Sequence, residues 1–84
     1  MKIRKSKTTA EIDLHGLRTE DAAYRLTHFL DYLSEEIQEV TVIHGYRQGQ
    51  ALMAMIRQNF THPRIKQKLK TLNEGQTRFI LKKK

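Results

Sequence analysis

The chain has 84 residues, no cysteine and a formal net charge of +7. That length allows one small domain with a modest core, and the absence of cysteine excludes disulfides and thiolate metal sites. No apolar run is long enough to span a bilayer, and no apolar stretch follows the basic start MKIRKSK as it does in a secretory signal, so a cytoplasmic setting is expected.

Charge is unevenly spread. Residues 1–42 hold six Lys/Arg and eight Asp/Glu, whereas residues 43–84 hold ten Lys/Arg and one acid, Glu74. A basic half beside a near-neutral half is the electrostatic footprint of a polyanion-binding protein, and nucleic acid is the expected partner. A membrane partner is not expected, because neither helix shows a basic amphipathic pattern with exposed large apolar residues.

Residues 1–9 are polar, basic and without period, and read as a disordered arm before a single domain over 10–82. Ala10–His15 alternates, with Ile12 and Leu14 on one side and Glu11, Asp13 and His15 on the other, which predicts a half-buried strand ended by Gly16. Thr19 reads as a helix N-cap, with Glu20 and Asp21 suited to the positive end of the dipole. Ala22, Leu26, Phe29, Leu30, Leu33 and Ile37 recur at helical spacing, so this helix is expected to reach Glu36 or Ile37.

Val40–His44 is rich in β-branched residues and predicts a second strand. A second helix follows from about Gln48 or Gly49, with Leu52, Met55, Ile56 and Phe60 as its stripe, and Pro63 ends it. In RIKQKLKTL, Ile65, Gln67, Leu69 and Thr71 alternate with Lys66, Lys68 and Lys70, predicting a third strand with one basic face at a sheet edge. NEG is a turn, Thr77–Leu81 a fourth strand, and residues 83–84 close a basic tail.

The order β-α-β-α-β-β places strands one and two parallel, joined by a right-handed crossover, with two helices covering one face: an α/β two-layer sandwich. In such sheets ligands sit beyond the carboxyl ends of the strands. His15 and His44 stand at two such ends, each followed by a glycine that permits a sharp turn and an open backbone. Arg18 and Arg47 lie in the two loops, and the helix N-termini that follow suit an anion. Asp13 shares a strand face with His15 and can orient its imidazole.

Two histidines, a carboxylate and two guanidinium groups suit a phosphodiester. The histidines would be general base and acid, and the 2′-hydroxyl of RNA would be the nucleophile, so no metal is needed. A metal trio of Asp13, His15 and His44 lacks any strong spacing signature, and GYRQG lacks the Lys-Ser/Thr of a nucleotide-binding loop, so no cofactor is expected. His28 falls off the apolar stripe and reads as solvated. His62, before the helix-ending proline, reads as structural, and Met53 and Met55 as core filling.

IDLHGL at 12–17, VIHGYRQG at 42–49 and EGQTRFIL at 74–81 resemble, in order, the three motifs of the small MutS-related (Smr) domain. The resemblance implies a four-stranded mixed sheet of order 1-2-4-3 with two helices on one face, like the C-terminal domain of bacterial initiation factor three. It also implies DNA or RNA binding, with nicking or endonuclease activity in several members, some acting on messenger RNA at stalled ribosomes.

By position, Asp13, His15 and Gly16 match the first motif, and His44, Gly45 and Gly49 the second. Arg47 stands where the family pattern has glycine. The expectation is a stand-alone nuclease with Asp13, His15 and His44 as catalytic residues. Gly16, Arg18, Gly45, Arg47, Gly49, Lys66, Lys68 and Lys70 are expected to hold nucleic acid. The alternatives are a nucleic-acid- or ribosome-binding module without chemistry, and a protein-interaction domain. Monomer is the default state.

Overall fold

The computed structural model describes residues 2–47 and 49–83. Met1, Gln48 and Lys84, expected in the arm, at the start of the second helix and in the tail, lie outside them. The elements are β1 (Lys2–Lys5), β2 (Thr9–Asp13), α1 (Thr19–Asp31), β3 (Glu39–Ile43), α2 (Gln50–Ala54), a π-helical turn (Met55–Asn59) that continues α2, β4 (Ile65–Lys70) and β5 (Gln76–Leu81). The sheet has five strands in the order β1-β2-β3-β5-β4. β2 and β3 are parallel, and the other neighbours are antiparallel. The four expected strands thus keep the expected order, and a fifth joins at the edge.

That fifth strand corrects the disordered arm. Lys2 pairs with Asp13 and Arg4 with Glu11, so two basic residues lie directly opposite two acids. Opposite charges across an antiparallel pair stabilise it, and the isolated segment gives no sign of this because its partners are seven to eleven residues away. Lys5 faces the other way and sets its ammonium 5.8 Å from the centre of the Phe29 ring on α1.

The core lies between one face of the sheet and the helices. Ala10, Ile12 and Leu14 of the first crossover unit, Val40 and Val42 of β3, and Phe79 and Leu81 of β5 meet Ala22, Leu26 and Leu30 of α1 and Leu52 and Ile56 of the second helix. Met55 packs against this core, and Phe60 stacks on Phe79 with ring centres 6.1 Å apart.

Helix α1 and strand β4 depart from the sequence pattern in three respects. Thr19 is the first helical residue rather than the cap; Arg18 holds the extended cap position. α1 stops at Asp31, yet Leu33 and Ile37 remain buried, because the loop after the helix folds back over the core. The guanidinium of Arg64 fixes that loop, donating to the carbonyls of Leu33, Ser34 and Ile37 at 2.8, 2.7 and 3.0 Å. His62 joins the same corner: its Nε2–H donates to Asp31 at 2.8 Å, and its Nδ1 accepts the backbone N–H of Arg64 at 3.1 Å.

The third difference is in β4. A bulge between Ile65 and Gln67 breaks the alternation. Downstream of it Lys68 lies opposite buried Phe79 and Lys70 opposite buried Thr77, while Leu69 turns to the open face opposite Arg78. One extra residue exchanges the faces of everything after it. Lys68 is half-buried; its ammonium lies over the Phe79 ring and donates to the Phe60 carbonyl. The uniform basic face expected of Lys66, Lys68 and Lys70 therefore does not form.

Candidate active site

The cleft lies beyond the carboxyl ends of β2 and β3. Its volume is about 560 Å³, and residues from both strand–His-Gly–helix units line it: His15, Gly16, Arg18 and Thr19 from the first, His44, Gly45, Tyr46 and Gly49 from the second. Parallel pairing explains the convergence. Asp13 is in register with Ile43, and the ladder runs one step further, from the Leu14 N–H to the Ile43 carbonyl at 2.7 Å. The two His-Gly turns therefore leave the sheet side by side.

Both turning glycines have left-handed backbones, φ +83° at Gly16 and +84° at Gly45, a region that disfavours any residue with a Cβ. At Gly45 the backbone is the constraint, since a Cβ there would meet that of His15 at an ordinary contact distance of 3.7 Å. Gly49 is restricted by space alone: a Cβ would sit 2.3 Å from the His44 carbonyl oxygen, so the loop would have to shift. The second loop also rests on the β4–β5 turn, where the Gly75 carbonyl accepts the N–H groups of His44 and Gly45 at 2.9 and 3.0 Å.

On the exposed wall, Asp13 and His15 form a dyad. Asp13 Oδ1 accepts from His15 Nδ1 at 2.6 Å and from the His15 backbone N–H at 3.1 Å. The His15 side chain is 69% exposed and that of Asp13 20%. Nδ1 therefore carries the proton, and Nε2 is left free towards solvent and cleft. Burial pushes the Asp13 carboxyl up, but the two hydrogen bonds and the charge of His15 outweigh it and hold the group below its ordinary value.

His44 behaves differently. It is fully buried and both its ring nitrogens are engaged. Nδ1–H donates to the Gly45 carbonyl at 2.7 Å, and Nε2 accepts the Thr77 hydroxyl at 2.9 Å. That hydroxyl accepts from Arg57 Nε at 2.8 Å, and Arg57 Nη2 donates to the Gln76 carbonyl at 3.0 Å. Every group in this chain has one consistent direction if His44 is neutral. Burial, reinforced by the charge of Arg57, lowers its proton affinity in spite of the Gly45 carbonyl.

The paired imidazoles expected from the sequence therefore do not face each other. The alternation that puts His15 on the open face puts His44, like Val40 and Val42, on the core face, where it locks the second loop. The metal trio of Asp13, His15 and His44 loses its third nitrogen for the same reason, and among the described residues no three His, Asp or Glu side chains gather as a ligand set.

The lowered proton affinity of His44 has a definite sign for stability. Near neutral pH neither state holds the proton. Below about pH 6.5 the unfolded chain takes it up and the native protein does not, so stability falls with pH until the native group also titrates. The urea midpoint should decline between about pH 7 and about pH 5. His44→Gln should flatten that slope. A flat profile in the unsubstituted protein would show that His44 titrates normally.

Of the other expected site residues, Arg18 lines the cleft and is exposed, whereas Arg47 is exposed on the second loop but is not among the lining residues. Lys66, Lys68 and Lys70 lie on β4, separated from β3 by β5, and so away from the cleft. Tyr46, not anticipated as a site residue, stands at the cleft and is 47% exposed. The only signal for it was its place directly after the second His-Gly pair.

A two-layer α+β domain with two His-Gly turns converging on one cleft is thus the class that fold and site define. The Smr domain family model matches residues 12–78, and the chain belongs to that family. No curated protein and no solved structure matches the chain closely enough to count as a relative. Among the described residues no helix is long and apolar enough to cross a membrane.

Proposed function

We propose that this Smr domain binds nucleic acid at the cleft and cleaves phosphodiester bonds there, with His15 as the acid/base group and Asp13 as its orienting carboxylate. One observation carries this reading: an exposed imidazole, fixed in one tautomer by a carboxylate, at the mouth of a cleft that also holds Arg18 and the N-terminus of α1. RNA fits the arrangement best. His15 Nε2 takes the proton of a 2′-hydroxyl, the oxygen–phosphorus bond forms, and the bond to the 5′-oxygen breaks. The leaving oxygen, on the opposite side of the phosphorus, takes a proton from solvent while His15 gives its own back to solvent, leaving a 2′,3′-cyclic phosphate and a 5′-hydroxyl. Arg18 faces the charge that accumulates on the phosphoryl oxygens.

End-labelled RNA and DNA, incubated with the protein with and without EDTA, test this. RNA fragments ending in cyclic phosphate, unaffected by EDTA and blocked by 2′-O-methylation, are expected. Binding without cleavage would replace the proposal by a second reading, a binding module, which the burial of the His44 ring at the cleft wall, with both nitrogens engaged, favours. Affinity that does not respond to salt would remove both readings.

The lysines of β4 separate in the same assay. Lys66→Ala/Lys70→Ala should weaken binding irrespective of sequence and reduce the salt slope by about one for each phosphate that is no longer neutralised. Lys68→Met should leave affinity unchanged, because its ammonium is committed to the Phe60 carbonyl. Equal losses from both variants would show that Lys68 reaches the ligand.

A further inference from the structure

The outer face of α1 carries a feature that the cleft does not use. Tyr24, His28 and Tyr32 follow at intervals of four, so their rings line one side of the helix, the first pair tilted by 54° and the second stacked. The Tyr24 and His28 ring centres are 4.5 Å apart, and those of His28 and Tyr32 are 6.2 Å apart with planes within 25°. Tyr24 is 67% exposed and Tyr32 83%, so the ladder is held in order while its outer faces stay open. Beside it runs a groove of about 430 Å³ between α1 and the second helix, floored by Ala23, Thr27, Met55 and Phe60.

Exposed tyrosines in an ordered row next to an apolar groove are characteristic of contact surfaces rather than of a solvated face. The surrounding charge selects the occupant. Glu20, Asp21 and Asp31 are exposed on this side of α1 with Arg25 beside them. Asp31 also accepts from His62, and Glu35 and Glu36 in the next loop share a hollow with Lys7 and Lys83. In a chain of net charge +7, Glu20 and Asp21 make the start of this helix face locally acidic. Phosphates are disfavoured beside these carboxylates. Guanidinium groups are favoured twice, by the carboxylates and by the open tyrosine faces on which they stack.

We propose that this face of α1 is a docking site for an arginine-rich polypeptide segment, distinct from the cleft. The segment lies along the Tyr24–His28–Tyr32 ladder with guanidinium groups on the rings and an aliphatic stem or apolar side chain in the groove. Arginine is preferred to lysine, because only the planar guanidinium both stacks and forms paired bonds to carboxylates. A helix exposed on one side of the domain leaves the cleft free, so both surfaces can be occupied at once.

Fluorescence anisotropy with a labelled oligo-arginine peptide, and oligo-lysine and oligo-glutamate peptides of equal length, tests this on the full chain. Oligo-arginine is expected to bind more tightly than oligo-lysine, and oligo-glutamate not at this face. Tyr24→Ser/Tyr32→Ser and, separately, Glu20→Gln/Asp21→Asn should each weaken oligo-arginine binding by about tenfold or more. Both variants alter exposed side chains, and an unchanged thermal midpoint confirms that each is folded. Equal affinity of the tyrosine variant and the unsubstituted protein, or no binding by either, would overturn the proposal. Two further results would also overturn it: a self-associated species in sedimentation velocity that the tyrosine variant lacks, which makes a second copy the occupant, or loss of RNA binding by that variant with peptide binding intact.

Discussion

His15→Ala is expected to slow RNA cleavage by about 100- to 10,000-fold while changing RNA affinity little, because positioned acid/base catalysis contributes on that scale. The expectation rests on one imidazole rather than two. Nε2 of His15 is the exposed ring nitrogen at the cleft, and no second histidine faces it, since His44 is fully buried with both nitrogens engaged. Asp13→Asn should fall between the two levels: its amide can still hold the ring but no longer favours the Nδ1–H tautomer or offsets the imidazolium charge.

His44→Asn should differ in kind. It deprives the Thr77 hydroxyl of its acceptor and the Gly45 carbonyl of its donor, and so loosens the second loop, so its loss of activity should accompany a loss of stability. Rate and denaturation midpoint measured on the same three variants separate these roles. A fully stable His44→Asn protein with activity as low as that of His15→Ala would restore the two-histidine mechanism. Full activity in His15→Ala would end the catalytic assignment of the dyad.

The second large effect concerns a residue far from the cleft. Arg64→Leu should destabilise the domain by about 3 kcal/mol or more, since it removes charged donors from three carbonyls. In a chain of this size that corresponds to roughly 12 °C or more in the thermal midpoint. Arg64 is 4% exposed, and among the described residues no carboxylate pairs with it; Leu33, Ser34 and Ile37 supply its acceptors through their backbones. Its Nε is buried without a partner, so the contribution comes from the two terminal nitrogens. Arg64→Lys should recover only part of the loss, because one ammonium cannot span acceptors on both sides of a planar fork. An unchanged midpoint in Arg64→Leu would show that water serves the three carbonyls equally well.

Arg64 also marks where the sequence stopped being legible. The spacing of Leu33 and Ile37 continues the helical period of Leu26 and Leu30, and nothing local distinguishes a fifth turn from a loop folded over the core. The distinction comes from an arginine thirty residues further on. β1 was hidden in the same way, its charges reading as solvation until Asp13 and Glu11 are placed opposite. The bulge at the start of β4 left no mark in an alternating lysine pattern.

What could be read in advance was what depends on periodicity and chain order: the parallel crossover, the order of the four main strands, and the two His-Gly turns at one end of the sheet. The dyad followed from the two-residue spacing of Asp13 and His15. The burial of His44 was not among these: the alternation of Val40 and Val42 carries it to the core face, but a strand's last residue gives no local sign of which face it keeps.

The single carbonyl of Gly75 that receives both His44 and Gly45 gives the domain an unusual mechanical linkage. One wall of the cleft is suspended from a hairpin tip some thirty residues later in the chain rather than from its own strand alone. Because Gly45 and His15 both line the cleft, a displacement of that tip moves one wall relative to the imidazole on the other. A molecule that grips the hairpin therefore has leverage on the cleft without entering it.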